Sequence, residues 1–180
     1  MHFTDDDIIL FFQDNYIDEF KNIIEKFHSI KNGAHKADLF RYYFLYINGG
    51  VYIDTDAMIE IDIKDIILDN SFFSILSSHH QCGSTICNAF IGASPKNDII
   101  YRALVDVYNI SNDALSGFYH VLCKNLFDIV NNNKYDFTYK LYKEESWENV
   151  IVRGYDYCKI YNENNEIVMI HYCIDKKIPK

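Results

Sequence analysis

The chain has 180 residues, with 17 Lys and Arg against 26 Asp and Glu, for a formal charge of −9. That length argues for one domain, residues 1–180, with its own core, and 49% hydrophobic with 24% charged residues argues against disorder. No stretch concentrates Lys and Arg, which excludes a reader of the nucleic-acid backbone, and no apolar run approaches the ~18 residues that a membrane span needs.

In chain order, Thr4 followed by Asp5, Asp6 and Asp7 marks a helix start, because the carboxylates face the positive end of the helix dipole. Ile17, Phe20, Ile23, Ile24, Phe27 and Ile30 recur at helical spacing and predict one buried face. A third helix is expected over 35–48, stopped by Gly49 and Gly50. Val51, Tyr52 and Ile53 predict a short strand, and the alternation over 59–63 predicts a second with one wet face. Further strands are expected at 72–76 and 86–91, joined by a solvated loop that holds His79 and His80. Helical periodicity covers 97–108 and 114–130. The tail, at 150–153, 158–161 and 167–172, predicts β-structure with a turn at 162–165 and Tyr155, Tyr157, Tyr161 and Tyr172 as strand aromatics. Helices interleaved with short strands predict a mixed α/β domain.

Five cysteines (Cys82, Cys87, Cys123, Cys158 and Cys173) form no CxxC pair, and read as buried thiols of a reducing compartment. The acidic start, residues 1–7, is unlike the basic and then apolar start of a secretory signal, so a cytoplasmic location is expected.

The chemistry concentrates in 37–56. Asp38 and Arg41 are three apart on a predicted helix and therefore share a face. After the double glycine, a strand leads to Asp54 and Asp56, which a period of two aims to one side. Two carboxylates at a strand end make a hard oxygen site suited to Mg²⁺ or Mn²⁺. Such a site lets an acidic protein hold a nucleotide diphosphate through the cation, while Arg41 forks onto a phosphate or sugar hydroxyl and Asp38 accepts from another.

The series Ala37-Asp38-x-x-Arg41-Tyr42, Leu45-Tyr46 and Gly49-Gly50-x-Tyr52-x-Asp54-x-Asp56 resembles the DXD sugar-binding region of glycosyltransferase family 32. Yeast-type Golgi mannosyltransferases and the glucosyltransferase domains of large clostridial toxins share this region. Asn88-Ala89-Phe90 is similar to the family's Asn-x-Phe strand, and Ile170-His171 resembles its closing strand with a histidine. The resemblance implies a GT-A fold and a retaining, Mn²⁺- or Mg²⁺-assisted transfer of sugar from a UDP- or GDP-sugar to a glycan, protein or small-molecule acceptor. It implies Asp56 as a direct metal ligand, Asp54 on the donor and partly on the metal through water, and His171 as a further ligand. Asp38 and Arg41 would hold the donor sugar, Tyr52 would pack beside the donor, and Asn88 would face sugar or acceptor. Retention without a carboxylate nucleophile implies attack from the leaving-group face.

Two features depart from the family. Its opening Ile-Pro-Lys-x-Ile-His-x-Ile-Trp strand has no counterpart, so a GT-A-like sheet is expected to lack its first strand and expose an edge where a second copy could pair. The family's Ser-Trp after the late histidine has its match upstream, at Ser146-Trp147. The alternative expectation is a catalytically lapsed relative, kept as a carbohydrate-binding or assembly module.

Overall fold

In a computed structural model, which describes residues 2–67, 70–79, 83–145, 148–152 and 155–173, Thr4 caps the first helix, α1 (Asp5–Asp14), through a reciprocal pair of bonds with Asp7. The apolar positions over 17–30 are carried by a 3-10 turn, Asp18–Phe20, and by α2 (Ile23–Ser29), rather than by one continuous helix. Phe20, Ile23, Phe27 and Ile30 are nonetheless all buried in the same cluster. Helix α3 (Gly33–Asn48) starts where the Asn32 side chain accepts from the Ala34 amide at 2.9 Å.

Gly49 ends α3 as expected, with φ +64° and its amide bonded to the Leu45 carbonyl at 2.8 Å. A Cβ there would lie 2.6 Å from Pro95 Cδ and 2.8 Å from the Ala93 carbonyl oxygen. Gly49→Ala therefore combines a left-handed backbone with a clash and should cost about 1–3 kcal/mol. Urea unfolding reads this as a lower midpoint at unchanged slope; an unchanged midpoint would show that the turn is not tightly packed.

Strands β1 (Gly50–Ile53) and β2 (Ala57–Ile59) follow. The strand expected over 59–63 is corrected: it stops at Ile59, and α4 (Ile63–Ile67) begins where the Asp62 side chain accepts from the Lys64 amide at 2.9 Å. The alternation had mistaken a helix start for a wet strand face; Ile66 is fully buried. The hairpin of β3 (Phe72–His79) and β4 (Gly83–Ala93) is longer than its apolar runs. After α5 (Asp98–Asn109), capped by Asn97, the helix expected over 114–130 is two, α6 (Asn112–Gly117) and α7 (Val121–Asn132), separated by a turn at 118–120. Strand β5 (Tyr139–Glu144) was not legible because its residues are largely polar. Strands β6 (Glu148–Val152), β7 (Tyr155–Tyr161) and β8 (Ile167–Cys173) complete the chain, with Asn165 at φ +59° in the turn before β8. The Tyr157 and Tyr172 rings pair across β7 and β8 at 6.2 Å, as strand aromatics do. His80, Cys82, Ser146 and Trp147, and the side chains of His79, Tyr155 and Cys173, lie outside what is described.

The eight strands form one mixed sheet, ordered β1-β4-β3-β5-β7-β8-β2, with β6 on β7. Only the β3–β5 pair is parallel among the described strands. Neighbouring residues on the sheet alternate between two cores: Phe72 and Ile91 join the helical cluster of α1, α3, α5 and α7, whereas Phe73 and Phe90 join a second cluster with Ile66, Ile160 and Met169. This is a mixed α/β, GT-A-like architecture. Strand β1 lies at the sheet edge, with β4 its one partner among the described strands. Among the described residues no helix is long and apolar enough to cross a membrane.

Candidate functional site

Helix α3 presents Asp38 and Arg41 to the sheet, both nearly fully buried. Arg41 Nη1 lies 3.1 Å from Asp38 Oδ1, so the shared helix face expected from the i, i+3 spacing holds a buried ion pair. A bulge in the hairpin completes the contact. The β3–β4 register jumps so that Ser74 alone stands opposite residues 88–91 of β4, and its hydroxyl bonds the Cys87 and Phe90 carbonyls at 3.1 and 2.9 Å. The displaced stretch aims Asn88 at α3. Its carbonyl accepts from Arg41, its Nδ2 donates to Asp38 Oδ1 at 2.9 Å, and its Oδ1 accepts from Tyr42 at 2.8 Å.

From the other side, the Tyr52 ring lies under the guanidinium, 3.9 Å from Arg41 Cζ to its centroid. Arg41 Nη2 donates to the Tyr52 hydroxyl at 2.9 Å, and that hydroxyl donates to Asp54 Oδ1 at 2.6 Å. Arg41 Nη2 also reaches Asp54 Oδ1 at 3.4 Å. Asp38, Asn88, Tyr52 and Asp54 thus surround a single guanidinium.

The electrostatics follow from burial. Burial pushes the Asp38 carboxyl above the usual carboxylate range, while Arg41 and then the Asn88 amide pull it back. Burial works against the Arg41 charge, yet Asp38, Tyr52 and Asp54 outweigh it and raise its pKa. Tyr52 is pushed up to about 12, first by burial, with Arg41 opposing and Asp54 adding. Tyr52 therefore keeps its proton at neutral pH and acts as a donor to Asp54.

Asp54 and Asp56 lie in the turn after β1 rather than on a continued strand; the Ala57 amide bonds the Asp54 carbonyl at 3.1 Å. This turn, not the strand alternation that the sequence predicts, brings the two carboxylates together. Strand β8 supplies the third group, because His171 pairs with Ala57 in register. His171 Nε2 is 3.6 Å from Asp56 Oδ1, and one ligand atom each from Asp54, Asp56 and His171 lies within 4.8 Å of the others. Two carboxylate oxygens and an imidazole nitrogen fit Mn²⁺ or Mg²⁺ better than a soft ion. Two carboxylates, Asp38 and Asp54, face the Arg41 guanidinium, while Asp56 faces His171.

Beside this frame lies a cavity of about 180 Å³, lined by Asp38, Arg41, Asp54, Asn88 and His171. It also takes in His35, Cys87, Tyr119, His120 and Cys123, none of which the sequence singled out for a role in this site. His35 carried no visible signal: it is a buried helix residue whose Nε2 lies 2.9 Å from the Tyr119 carbonyl, fixing the α6–α7 turn as the far wall. Burial raises the Tyr119 hydroxyl, with Asp38, Cys123 and Asp54 adding to the effect. A second cavity, of about 310 Å³, also borders Arg41 and is lined by Tyr52, Phe3, Phe40, Phe44 and the start of β1.

Residues 2–73 match the family model of the glycosyltransferase sugar-binding region containing the DXD motif. Over 108 residues, 60% of this chain and 30% of the relative, the chain is 32% identical to inositol phosphoceramide mannosyltransferase 1 of Schizosaccharomyces pombe. Over 113 residues, 62% of this chain and 43% of the relative, it is 29% identical to an uncharacterized glycosyltransferase of Acanthamoeba polyphaga mimivirus. The matches thus span less than half the length of either relative. Asp38, Arg41, Tyr52, Asp54 and Asp56 fall inside the matched region 2–73, whereas Asn88 and His171 fall beyond it.

Proposed function

We propose, for a chain that is similar to family 32 glycosyltransferases and carries their DXD-containing region in residues 2–73, that it transfers a sugar from a UDP- or GDP-sugar with retention of configuration. The observation that carries this reading is the junction of a frame closed around the two Arg41 Nη atoms, with Nε buried and without a hydrogen-bond partner among the described residues, and an open ligand set. Asp38 Oδ1 is taken by Arg41 and Asn88, while Asp54 and Asp56 each keep an oxygen with no hydrogen-bond partner among the described residues.

In this reading Asp54, Asp56 and His171 hold Mn²⁺ or Mg²⁺. The bound cation supplies neutralisation of the charge that develops on the departing diphosphate. Arg41, held on four sides, fixes Asp54 and adds a positive potential beside the phosphates without changing place. The cavity of about 180 Å³ falls below the ~300–1,000 Å³ of pockets that hold a whole drug-sized ligand. It therefore takes the sugar end of the donor, with Asp38 and Asn88 on its wall and the nucleotide outside on the edge near Tyr52. Tyr119 and the α6–α7 turn stand where an acceptor approaches the same face.

The test is calorimetric titration of UDP and GDP into the full chain, with and without Mn²⁺, on wild type and His171→Ala. The reading expects binding that requires Mn²⁺ and weakens at least about tenfold in the variant. Equal binding with and without the ion would remove the cation from the mechanism. No nucleotide binding by a folded wild-type chain would favour the module that has lost its donor.

A further inference from the structure

Beside the site already described, a second set of ligating side chains crosses the sheet on the face that holds the second core. Glu144 of β5 pairs with Ile160 of β7, and Cys158, two residues earlier on β7, pairs with His171 of β8. A strand period of two therefore puts Glu144, Cys158 and His171 on one face. Cys158 is 2% exposed and belongs to the second core. Its thiol donates to Glu144 Oε1 at 3.0 Å, and the Ser77 hydroxyl of β3 donates to Glu144 Oε2. One ligand atom each from Glu144, Cys158 and His171 lies within 4.8 Å of the others.

These three groups make a donor set unlike the first. Asp54, Asp56 and His171 offer two hard oxygens and a nitrogen, whereas this set exchanges one of the oxygens for a sulfur. A thiolate selects a borderline ion of the Zn²⁺ class over Mg²⁺ or Mn²⁺. Ligand atoms around a tetrahedral Zn²⁺ stand about 3.3–3.8 Å apart, given bonds of about 2.0–2.3 Å, so a spread within 4.8 Å closes with about 1 Å of movement. Glu144 is part-buried and held by two neutral donors, which orient its charge without cancelling it. Binding replaces the Cys158 S–H bond with a bond from sulfur to the ion and releases that proton to water. Glu144 Oε1 then faces the ion in place of the thiol proton.

We propose that Glu144, Cys158 and His171 form a second cation site, selective for ions of the Zn²⁺ class, whose occupancy weakens the Mn²⁺ or Mg²⁺ site. The second site stands on its own three residues; its effect on the first rests on the cation reading given above. His171 is common to both donor sets, and its Nε2 faces Asp56 at 3.6 Å. An ion on this ring competes for the imidazole that Asp54 and Asp56 share, and it sets a second double charge beside theirs. Both effects oppose Mn²⁺, and by linkage Mn²⁺ opposes Zn²⁺ by the same factor. The consequence is inhibition of donor turnover by Zn²⁺.

The experiment titrates Co²⁺, as a spectroscopic substitute for Zn²⁺, into the reduced full chain without donor. It should give a near-ultraviolet thiolate-to-metal charge-transfer band, which added Zn²⁺ removes. The band should be lost in Cys158→Ser, should need at least about tenfold more Co²⁺ in Glu144→Gln, and should persist in Asp56→Asn. Its midpoint should move to lower Co²⁺ as pH rises, because a proton leaves on binding. In wild type, Zn²⁺ should weaken Mn²⁺ at least about fivefold, read from the free-ion paramagnetic resonance signal; in Cys158→Ser it should not. No band, or a band that survives Cys158→Ser and so belongs to another thiol, would overturn the second site. A band with Mn²⁺ affinity untouched by Zn²⁺ would overturn the coupling alone. Absence of saturable Mn²⁺ binding by wild type, with the Co²⁺ band intact, would remove the cation reading and leave the second site standing. If circular dichroism shows that Cys158→Ser does not fold, Glu144→Gln, which keeps the thiol, decides by the same titrations.

Discussion

Replacing Asp56 with asparagine should lower Mn²⁺-dependent donor turnover by at least about 100-fold while leaving the fold intact. Loss of an outer-shell partner alone typically costs about 10–100-fold in metal affinity or activity, and in the proposed cation site Asp56 would supply a ligand atom itself. Its carboxylate is also the least engaged of the three, with His171 at 3.6 Å as its ion-pair neighbour among the described residues. Removal of its charge therefore breaks nothing that holds α3 to the sheet. The readout is donor hydrolysis or transfer at saturating Mn²⁺, alongside a thermal melt. A variant that keeps full turnover would sink the assignment of Asp56, and a variant that melts early would show that the turn after β1 needs the charge for folding.

The opposite behaviour is expected of Arg41. Arg41→Met leaves Asp38 buried without its cation, which typically costs about 3–5 kcal/mol. The loss should depend on pH with a defined sign. Asp38 already sits above its ordinary 3.8 because of burial, and Arg41 is the first influence that pulls it back. Without Arg41 the folded-state value rises further, so the folded chain holds a proton that the unfolded chain releases. Stability of the variant is then greatest below about 3.8, the unfolded value. It declines as pH rises through the raised folded value and is flat above that. Urea unfolding across this range measures it, using the difference between Arg41→Met and Arg41→Met/Asp38→Asn to cancel the other carboxylates. The double variant should recover part of the loss and lose the pH dependence. A difference that does not vary with pH would show that Asp38 stays ionised, or stays hydrated, without Arg41.

These two expectations separate groups that a motif reading places together. Asp38, Arg41, Asp54 and Asp56 were all legible as one constellation, because a helix pair, a glycine stop, a strand and paired acids each leave a local pattern. The division of labour among them was not legible. Arg41 reads in sequence as a fork for a phosphate or sugar hydroxyl; in the folded chain it is the hub onto which Asp38, Asn88, Tyr52 and Asp54 converge. Asn88 reads as a residue that faces sugar or acceptor; in the folded chain it borders the cavity, and its amide is engaged by Asp38 and Tyr42.

By itself the sequence determined what local physics can determine. Thr4 as a cap, the stop at Gly49, the apolar periods of the helices and the hard oxygen chemistry of Asp54 and Asp56 all depend on neighbours within a few residues, and a single chain displays them directly. The polar strand β5, the bulge opposite Ser74 and the split of α6 from α7 depend on pairing and packing with distant segments. So does the junction of the site itself. His171 meets Asp56 only because β8 pairs with β2. Contacts made across more than a hundred residues of chain are set by sheet register, which no local pattern records.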